Sequence, residues 1–199
     1  MTNTKSDRTK QFILEKAAPV FNKNGYIGTS LSDVTEATGL TKGAIYGNFE
    51  NKEDLAYYSF YFNVSKVLVN LKSVIDACDS SIDKLKSITE FYRNYYRKNI
   101  KIGGCPILNV GIDANHTNPK LHKAVNKVIV KIEGFIIEIV NEGIEKKEIK
   151  AEVDSEESSQ LIFSMIEGGI FTSMIMKNEK YLTTMMDHLD EMIMIKLAK

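Results

Sequence analysis

Tryptophan is absent from the 199 residues, and only three prolines and two cysteines occur. Cys78 and Cys105 lie too far apart for a Cys-x-x-Cys ligand pair and are too few for a disulfide framework. A reducing compartment is therefore expected. Charge of one sign is also missing, because 26 basic residues balance 26 acidic ones. That excludes a polybasic membrane binder or a general cationic coat for nucleic acid, so any nucleic-acid contact has to be local. Residues 1–10 hold no apolar signal core, and the longest apolar stretch, 168–176, is interrupted by Thr172 and Ser173. It falls short of the roughly 18 residues read as a membrane span. The expectation is a cytoplasmic chain without membrane contact. With 43% hydrophobic residues it can nevertheless bury a sizeable core.

What is present is the helical period. Ile13, Leu14, Ala17, Ala18 and Phe21 share one face, and Leu121, Val125, Val128, Ile132, Phe135 and Ile139 repeat the spacing. No strand alternation of similar length competes with it. Turn-forming residues fall near 24–25, 38–39, 48–51, 78–81, 103–104, 118–119, 150–155 and 178–180. The reading is all-α, with about nine helices. Pro19 sits inside the first helical pattern, where it removes a backbone donor, and predicts a kink there. Glu145, Lys146, Lys147 and Glu148 read as a solvated helix end.

The first 50 residues carry shorter pieces and tighter turns. Ser30 and Asp33 form a capping pattern for a helix over Leu31–Thr38 that would turn Leu31, Val34 and Ala37 inward. Gly39 suits the left-handed residue ending that helix, Leu40 packs down, and Thr41 caps a second helix over residues 42–47. Two short helices joined by a glycine turn make a helix-turn-helix, or on local pattern alone an ordinary helical hairpin. The second helix has only Ile45 and Phe49 to bury. Its Gly43 and Gly47 each cost about 1 kcal/mol relative to Ala, which close approach to another molecule would explain. Asn51 caps the next helix, over residues 52–76, where Glu53 and Asp54 suit the first turn and Lys52 is left to meet a phosphate.

From Phe12 to Leu55 the sequence resembles the DNA-binding domain of TetR-type transcriptional regulators. The resemblance rests on Ala17-Ala18, Phe21, Asn24-Gly25-Tyr26, Thr29-Ser30, Asp33-Val34, the run from Ala37 to Tyr46, Asn48-Phe49 and the run from Asn51 to Leu55. It implies a three-helix reading head over residues 1–51 and a larger helical ligand-binding and dimerisation domain over residues 52–199. It further implies that Thr29, Thr41, Tyr46, Asn48 and Lys52 touch the phosphate backbone, while Lys42, Gly43, Ala44 and Gly47 face the bases. Hydroxyls, an amide and an ammonium group suit phosphate oxygens, which fix register. Lys42 can donate strongly to guanine O6 or N7; otherwise it is a solvated lysine, and Tyr46 a packing residue. Residues 1–52 hold seven basic against five acidic side chains, a small bias of the right sign.

One head binds weakly, so a symmetric homodimer on palindromic double-stranded DNA is expected. The stretch 160–176 is apolar almost all round, which fits either a core helix or one shared with a partner. Ile162, Ile166, Gly169, Ile170, Met185, Leu189 and Met192 are the expected dimer contacts. The aromatic residues at 57–62 and 91–96 point to core packing or to a pocket for an unknown small-molecule effector. Tyr61, Phe62, Tyr92, Tyr95, Cys105, Asn109, Phe163, Glu167 and Phe171 are its expected lining. Cys105-Pro106-Ile107-Leu108-Asn109 after Gly103-Gly104 is similar to a Gly-Cys segment in one branch of the family. Cys105 reads as a buried apolar residue or as a reactive thiol, which leaves a thiol-switched regulator as the alternative to a ligand-released repressor. Asp113, His116 and His122 do not have the spacing of a recognised metal set. No G-x-x-x-x-G-K loop occurs, and neither an enzyme nor a cofactor is expected.

Overall fold

The structure is a computed structural model and describes residues 5–199. Among them are ten α-helices and no strand. The helices are α1 (Lys5–Gly28), α2 (Leu31–Thr38), α3 (Lys42–Tyr46), α4 (Lys52–Ile75), α5 (Ser81–Arg93), α6 (Tyr95–Asn99), α7 (Pro106–Ala114), α8 (Pro119–Glu145), α9 (Ser155–Met176) and α10 (Lys180–Met192). A 3₁₀ turn (Ile100–Ile102) precedes α7, and a π-helical turn (Ile193–Leu197) continues α10. The helix beyond the expected nine comes from Asn94, whose φ of −96° and ψ of 0° interrupt the run of residues 81–99 and divide α5 from α6.

The chain forms two compact units. One takes in residues up to Val67 together with Lys101–Val125; the other is Leu68–Ile100 with Asn126–Lys199. The reading-head boundary drawn from the sequence, between residues 51 and 52, falls at the first turn of α4. Compactness divides α4 farther along, and it brings α7 into the same unit as α1 to α3.

In the first unit Ile13, Ala17, Ala18 and Phe21 of α1 are buried, as is Val34 of α2, and Ile45 and Phe49 are almost the whole apolar contribution of the α3 region. Leu31, Ala37 and Leu40 are only half-buried, and Thr38 fills the place expected of Ala37. Helical dihedrals continue through Pro19; the one departure inside α1 is at Gly25, with φ 75° and ψ 176°. The expected kink thus belongs to the glycine. Pro19 lacks one donor, which a helix tolerates when its apolar face stays packed, whereas Gly25 adopts a backbone conformation L side chains avoid.

In the second unit α9 packs on α10, and α10 on α5. Ile162, Ile166 and Ile170 are the buried isoleucines of α9, Leu182, Met186 and Leu189 the buried residues of α10 that lies between, and Leu85 and Ile88 those of α5. Each such side chain contributes roughly 1.5–3 kcal/mol when fully buried. By length and composition α9 is apolar enough to cross a membrane, but it starts at the Asp154 cap with Glu156 and Glu157 in its first turn, and its buried face packs within this unit. Glu148 departs from the solvated helix end expected of it: its carboxylate accepts from the Ser81 N–H at 2.6 Å and closes the start of α5.

Candidate nucleic-acid interface

The helix-turn-helix is built by its caps. Ser30 and Asp33 form a reciprocal capping box, with the Asp33 N–H donating to Ser30 Oγ at 3.1 Å and the Ser30 N–H donating to the Asp33 carboxylate at 2.6 Å. The Ser30 N–H, and after it the Ser30 hydroxyl that donates to the same carboxylate at 2.8 Å, hold the Asp33 carboxyl below the usual carboxylate range. Gly39 takes the left-handed conformation at φ 70° and ends α2. Thr41 Oγ1 then accepts from the Ala44 N–H at 3.2 Å and starts α3, which has only five residues. A helix this short is marginal in isolation, so the cap and the buried Ile45 hold it in place.

Burying Ile45 and Phe49 leaves the rest of α3 outward. Thr41, Lys42, Gly43, Tyr46 and Gly47 are exposed, Tyr46 by 42%, while Ala44 and Asn48 are half-buried. The outer surface is therefore two glycines and an alanine flanked by a hydroxyl, a phenol, an amide and an ammonium group. Such a profile enters a groove about 12 Å wide without steric conflict. Asn48 donates one amide hydrogen to Ala44 O at 2.9 Å and keeps the other for an outside acceptor. Lys52, in the first turn of α4, lies with its ammonium 4.6 Å from the Tyr26 ring centre, which fixes its direction while leaving its hydrogens available. Asn51 Oδ1 accepts the Asp54 N–H at 2.9 Å and caps the same turn.

Thr29 does not join this surface. It is 0% exposed and its hydroxyl donates to Gly25 O at 2.7 Å, so the side chain closes the corner between α1 and α2 and is turned away from solvent. Tyr26, absent from the expected set, is the residue that sits beneath Lys52; the Asn-Gly-Tyr turn marked the place, but nothing in the sequence marked the partner.

The remaining expected residues are placed as follows. Tyr61, Phe62, Cys105 and Asn109 belong to the first unit, and Tyr92, Tyr95, Phe163, Glu167 and Phe171 to the second. Asn109 turns its amide to the backbone, donating to Asn22 O at 2.9 Å and Gly103 O at 2.6 Å. Tyr92 and Tyr95 are buried in an aromatic cluster with Phe91, ring centres 5.2 to 6.4 Å apart, and Phe171 is 46% exposed. Tyr61 packs its ring 4.9 Å from Tyr57, and burial pushes its phenol above the usual range. A polar concavity of about 560 Å³ beside Cys78, Asp83, Lys86 and Asp190 involves none of the nine. Cys105 is 5% exposed, at the cap of α7. Among the described residues no three His, Cys, Asp or Glu side chains converge as a metal site.

On α9 and α10 the expected dimer residues Ile162, Ile166, Gly169, Ile170 and Leu189 are covered by their own chain, and only Met185 and Met192 remain half-exposed. The all-round apolar pattern hid which side was which. The outward row of α9 is Leu161, Ser164, Gly168, Phe171 and Ile175, the last 65% exposed. With Tyr181 and Met185 of α10, Met165, Gly168 and Thr172 of α9 line an apolar groove of about 360 Å³.

Residues 13–57 match the model of the bacterial regulatory proteins of the tetR family, and residues 81–189 that of the tetracyclin repressor-like C-terminal domain. The second match alone spans over half of the sequence. The chain belongs to the TetR family. It is a DNA-binding transcriptional regulator with an N-terminal helix-turn-helix and a C-terminal helical domain. A TetR-family regulator from Cytophaga hutchinsonii is 36% identical, with TM-score 0.93 and full coverage of both chains. A second, from Chloroflexus aurantiacus J-10-FL, is 34% identical at TM-score 0.93 over 98% of both. The TetR-family regulator CifR, as a cysteine mutant complexed with 26 bp double-strand operator DNA, shares the fold at 18% identity and TM-score 0.81, covering 91% of this chain and 94% of that one.

Proposed function

We propose that this TetR-family regulator is a homodimeric, cytoplasmic repressor that binds a palindromic operator through α2 and α3 and is released by a small-molecule effector held in its C-terminal domain. The observation that carries the DNA-binding surface is the outward face of α3. Lys42, Gly43, Tyr46 and Gly47 stand exposed around a helix whose only deeply buried side chain is Ile45. Thr41, Tyr46, Asn48 and Lys52 supply the phosphate contacts and Lys42 the contact to a base edge, while Gly43, Ala44 and Gly47 let the backbone come close. The operator complex of the fold neighbour CifR supports this mode of binding.

The dimer uses the outward row of α9 with the Tyr181 and Met185 side of α10. An apolar face rimmed by polar residues is what such an interface requires. The effector shifts the population of DNA-competent dimers by binding the released state more tightly than the bound one. Tyr61 of α4, whose half-buried phenol is desolvated, is its orienting group. Cys105, at 5% exposure, acts as a packing residue, so Cys105→Ser leaves operator binding and any oxidant response unchanged.

The test is selection of duplexes from a random pool at two salt concentrations. Wild type enriches a palindrome with half-sites about 34–36 Å apart, or a multiple of that spacing. Tyr46→Ala weakens binding, and Lys42→Ala lowers the salt slope by about 1 or relaxes one base position. Absence of any enriched sequence at low salt from effector-free dimer refutes the reading.

A further inference from the structure

The corner that feeds the reading head is held from outside the helix-turn-helix. At Gly25 α1 breaks, and the break leaves the N–H groups of Tyr26 and Ile27 as a fresh helix start in need of acceptors. One carboxylate oxygen, Asp113 Oδ2 of α7, accepts both, at 2.5 Å and 3.1 Å. The approach is close enough that a Cβ at Gly25 would stand 3.0 Å from that oxygen and 3.2 Å from Asp113 Cγ. Glycine is required here twice over, for its positive φ and for the room it leaves. From the other side of the break Gly25 O accepts the buried Thr29 hydroxyl, and Thr29 runs directly into Ser30, the cap of α2.

The same face of α7 grips α1 one turn earlier. Asn109, four residues before Asp113, donates to Asn22 O, and Asn22 lies four residues before Tyr26. Asn22 in turn donates to Ile102 O at 2.7 Å and Gly104 O at 3.1 Å, in the turn leading into α7. A Cβ at Gly103 would meet Lys23 Cα at 2.9 Å. Two adjacent turns of α7 are therefore tied to two adjacent turns of α1. The tie through Asp113 fixes Tyr26, on whose ring Lys52 rests, and sets Ser30, the cap of α2, three residues on from Ile27.

We infer that Asp113 is a positioning residue for DNA binding. It reads no DNA itself; by fixing the Tyr26 and Ile27 amides it sets the corner from which α2 departs and the platform that aims Lys52. The inference rests on the proposed operator binding by α2 and α3. Its sign separates it from simple electrostatics. Removing a negative charge strengthens binding to a polyanion, or leaves it alone, whereas loss of the tie weakens it.

The experiment measures full-length wild type, Asp113→Asn and Asp113→Ala on the selected operator across a salt series, with amide hydrogen exchange on the free proteins. Asn keeps an acceptor oxygen of the same shape but loses the charge, so it remains informative should the Ala variant fail to fold. Operator affinity is expected to fall roughly tenfold to a hundredfold in Ala and less in Asn. The salt slope stays at the wild-type value, because no phosphate contact is lost, whereas Lys52→Ala lowers it. Exchange at Tyr26 and Ile27 accelerates in both variants while buried α1 amides keep their rates. Affinity equal to or above wild type overturns the inference, and so does weakened binding with unchanged exchange at those two amides. If wild type selects no operator, the DNA-binding reading falls and takes this one with it.

Discussion

Gly134 and Gly168 make a matched pair of helical glycines, and the proposed dimer assigns them opposite responses to the same substitution. Within one chain, a Cβ added at either position meets nothing within 4 Å. Gly134 is inside α8 and Gly168 inside α9. On intrachain grounds alone each Gly→Ala change stabilises a helix interior by about 1 kcal/mol, because alanine loses less backbone freedom on folding. For a chain of this size that raises the melting temperature by about 2–4 °C. Gly168, however, lines the apolar groove between α9 and α10, where the outward row is proposed to meet its copy. A methyl group placed in a packed contact costs about 1–3 kcal/mol, and two-fold symmetry makes the substitution count twice. A cost of about 2–6 kcal/mol per dimer weakens self-association roughly 30-fold to more than 1,000-fold. Sedimentation across a dilution series reads the dimer constant, and calorimetry at fixed protomer concentration reads the melting temperature. Gly134→Ala is expected to leave the dimer intact and melt a few degrees higher; Gly168→Ala is expected to dissociate at concentrations where wild type does not. Should Gly168→Ala dimerise like wild type and gain the same few degrees, this face of α9 does not contact a partner.

Three further outcomes follow from the local geometry. Gly103→Ala places a Cβ 2.9 Å from Lys23 Cα at φ 94°; left-handed strain of about 1–2 kcal/mol and crowding of about 1–3 kcal/mol lower the melting temperature by about 5–15 °C, and an unchanged melting curve contradicts the tight approach of this turn to α1. Thr41→Ala removes the acceptor of the Ala44 N–H and costs about 1 kcal/mol; amide exchange within α3 accelerates while α4 is unaffected, and equal exchange throughout would show that the cap is dispensable. Glu142 is hydrogen-bonded by Lys146 and Lys84, which hold its carboxyl at about 2 against an ordinary 4.5. A depressed carboxylate contributes stability above its unfolded value and loses it as pH falls through the folded one, so acid stability declines between about 4.5 and 2. In Glu142→Gln that decline is shallower in urea titrations at stepped pH, and an identical slope removes the ion pairs from the account.

The reading head was legible because its signals are local. A capping box, a left-handed glycine, a threonine cap and two apolar anchors fall within about 20 residues, and each names its partner by spacing: Ser30 to Asp33, Thr41 to Ala44, Ile45 beside Phe49. The partners at long range carried no such spacing. Asp113 caps Tyr26 and Ile27 across more than 80 residues, and Glu148 caps Ser81 across 67; each looks in sequence like any solvated acid. Asn109 is of the same kind, since nothing in the sequence marks its bonds to Asn22 O and Gly103 O. Thr29 failed differently. A hydroxyl beside a helix start suits a phosphate, but the same hydroxyl suits the carbonyl four residues back once Gly25 breaks the helix.

The reversal on α9 has a physical source that bears on function. Apolar periodicity finds a buried face only when the opposite face is polar, and here the inward face carries Ser158, Ser159, Glu167 and Ser173 among its isoleucines while the outward face carries Leu161, Phe171 and Ile175. The polar groups inside are tied down where the structure shows it: Ser159 donates to Glu133 O at 2.9 Å, and Ser173 Oγ accepts the Leu182 N–H at 2.9 Å. Ser159 and Ser173 rank as core residues because the neighbouring helices satisfy their hydroxyls. Apolar side chains facing outward have no such internal account, and single exposed ones need none. Three of them on one face, Leu161, Phe171 and Ile175, beside a groove lined by Gly168 and Met185 are a different matter, because leaving that surface in water is unfavourable in proportion to its area. The feature that hid which face of α9 is buried is therefore the same one that argues for its second neighbour: in a monomer the outward row would be expected to be polar throughout, and Leu161, Phe171 and Ile175 are not.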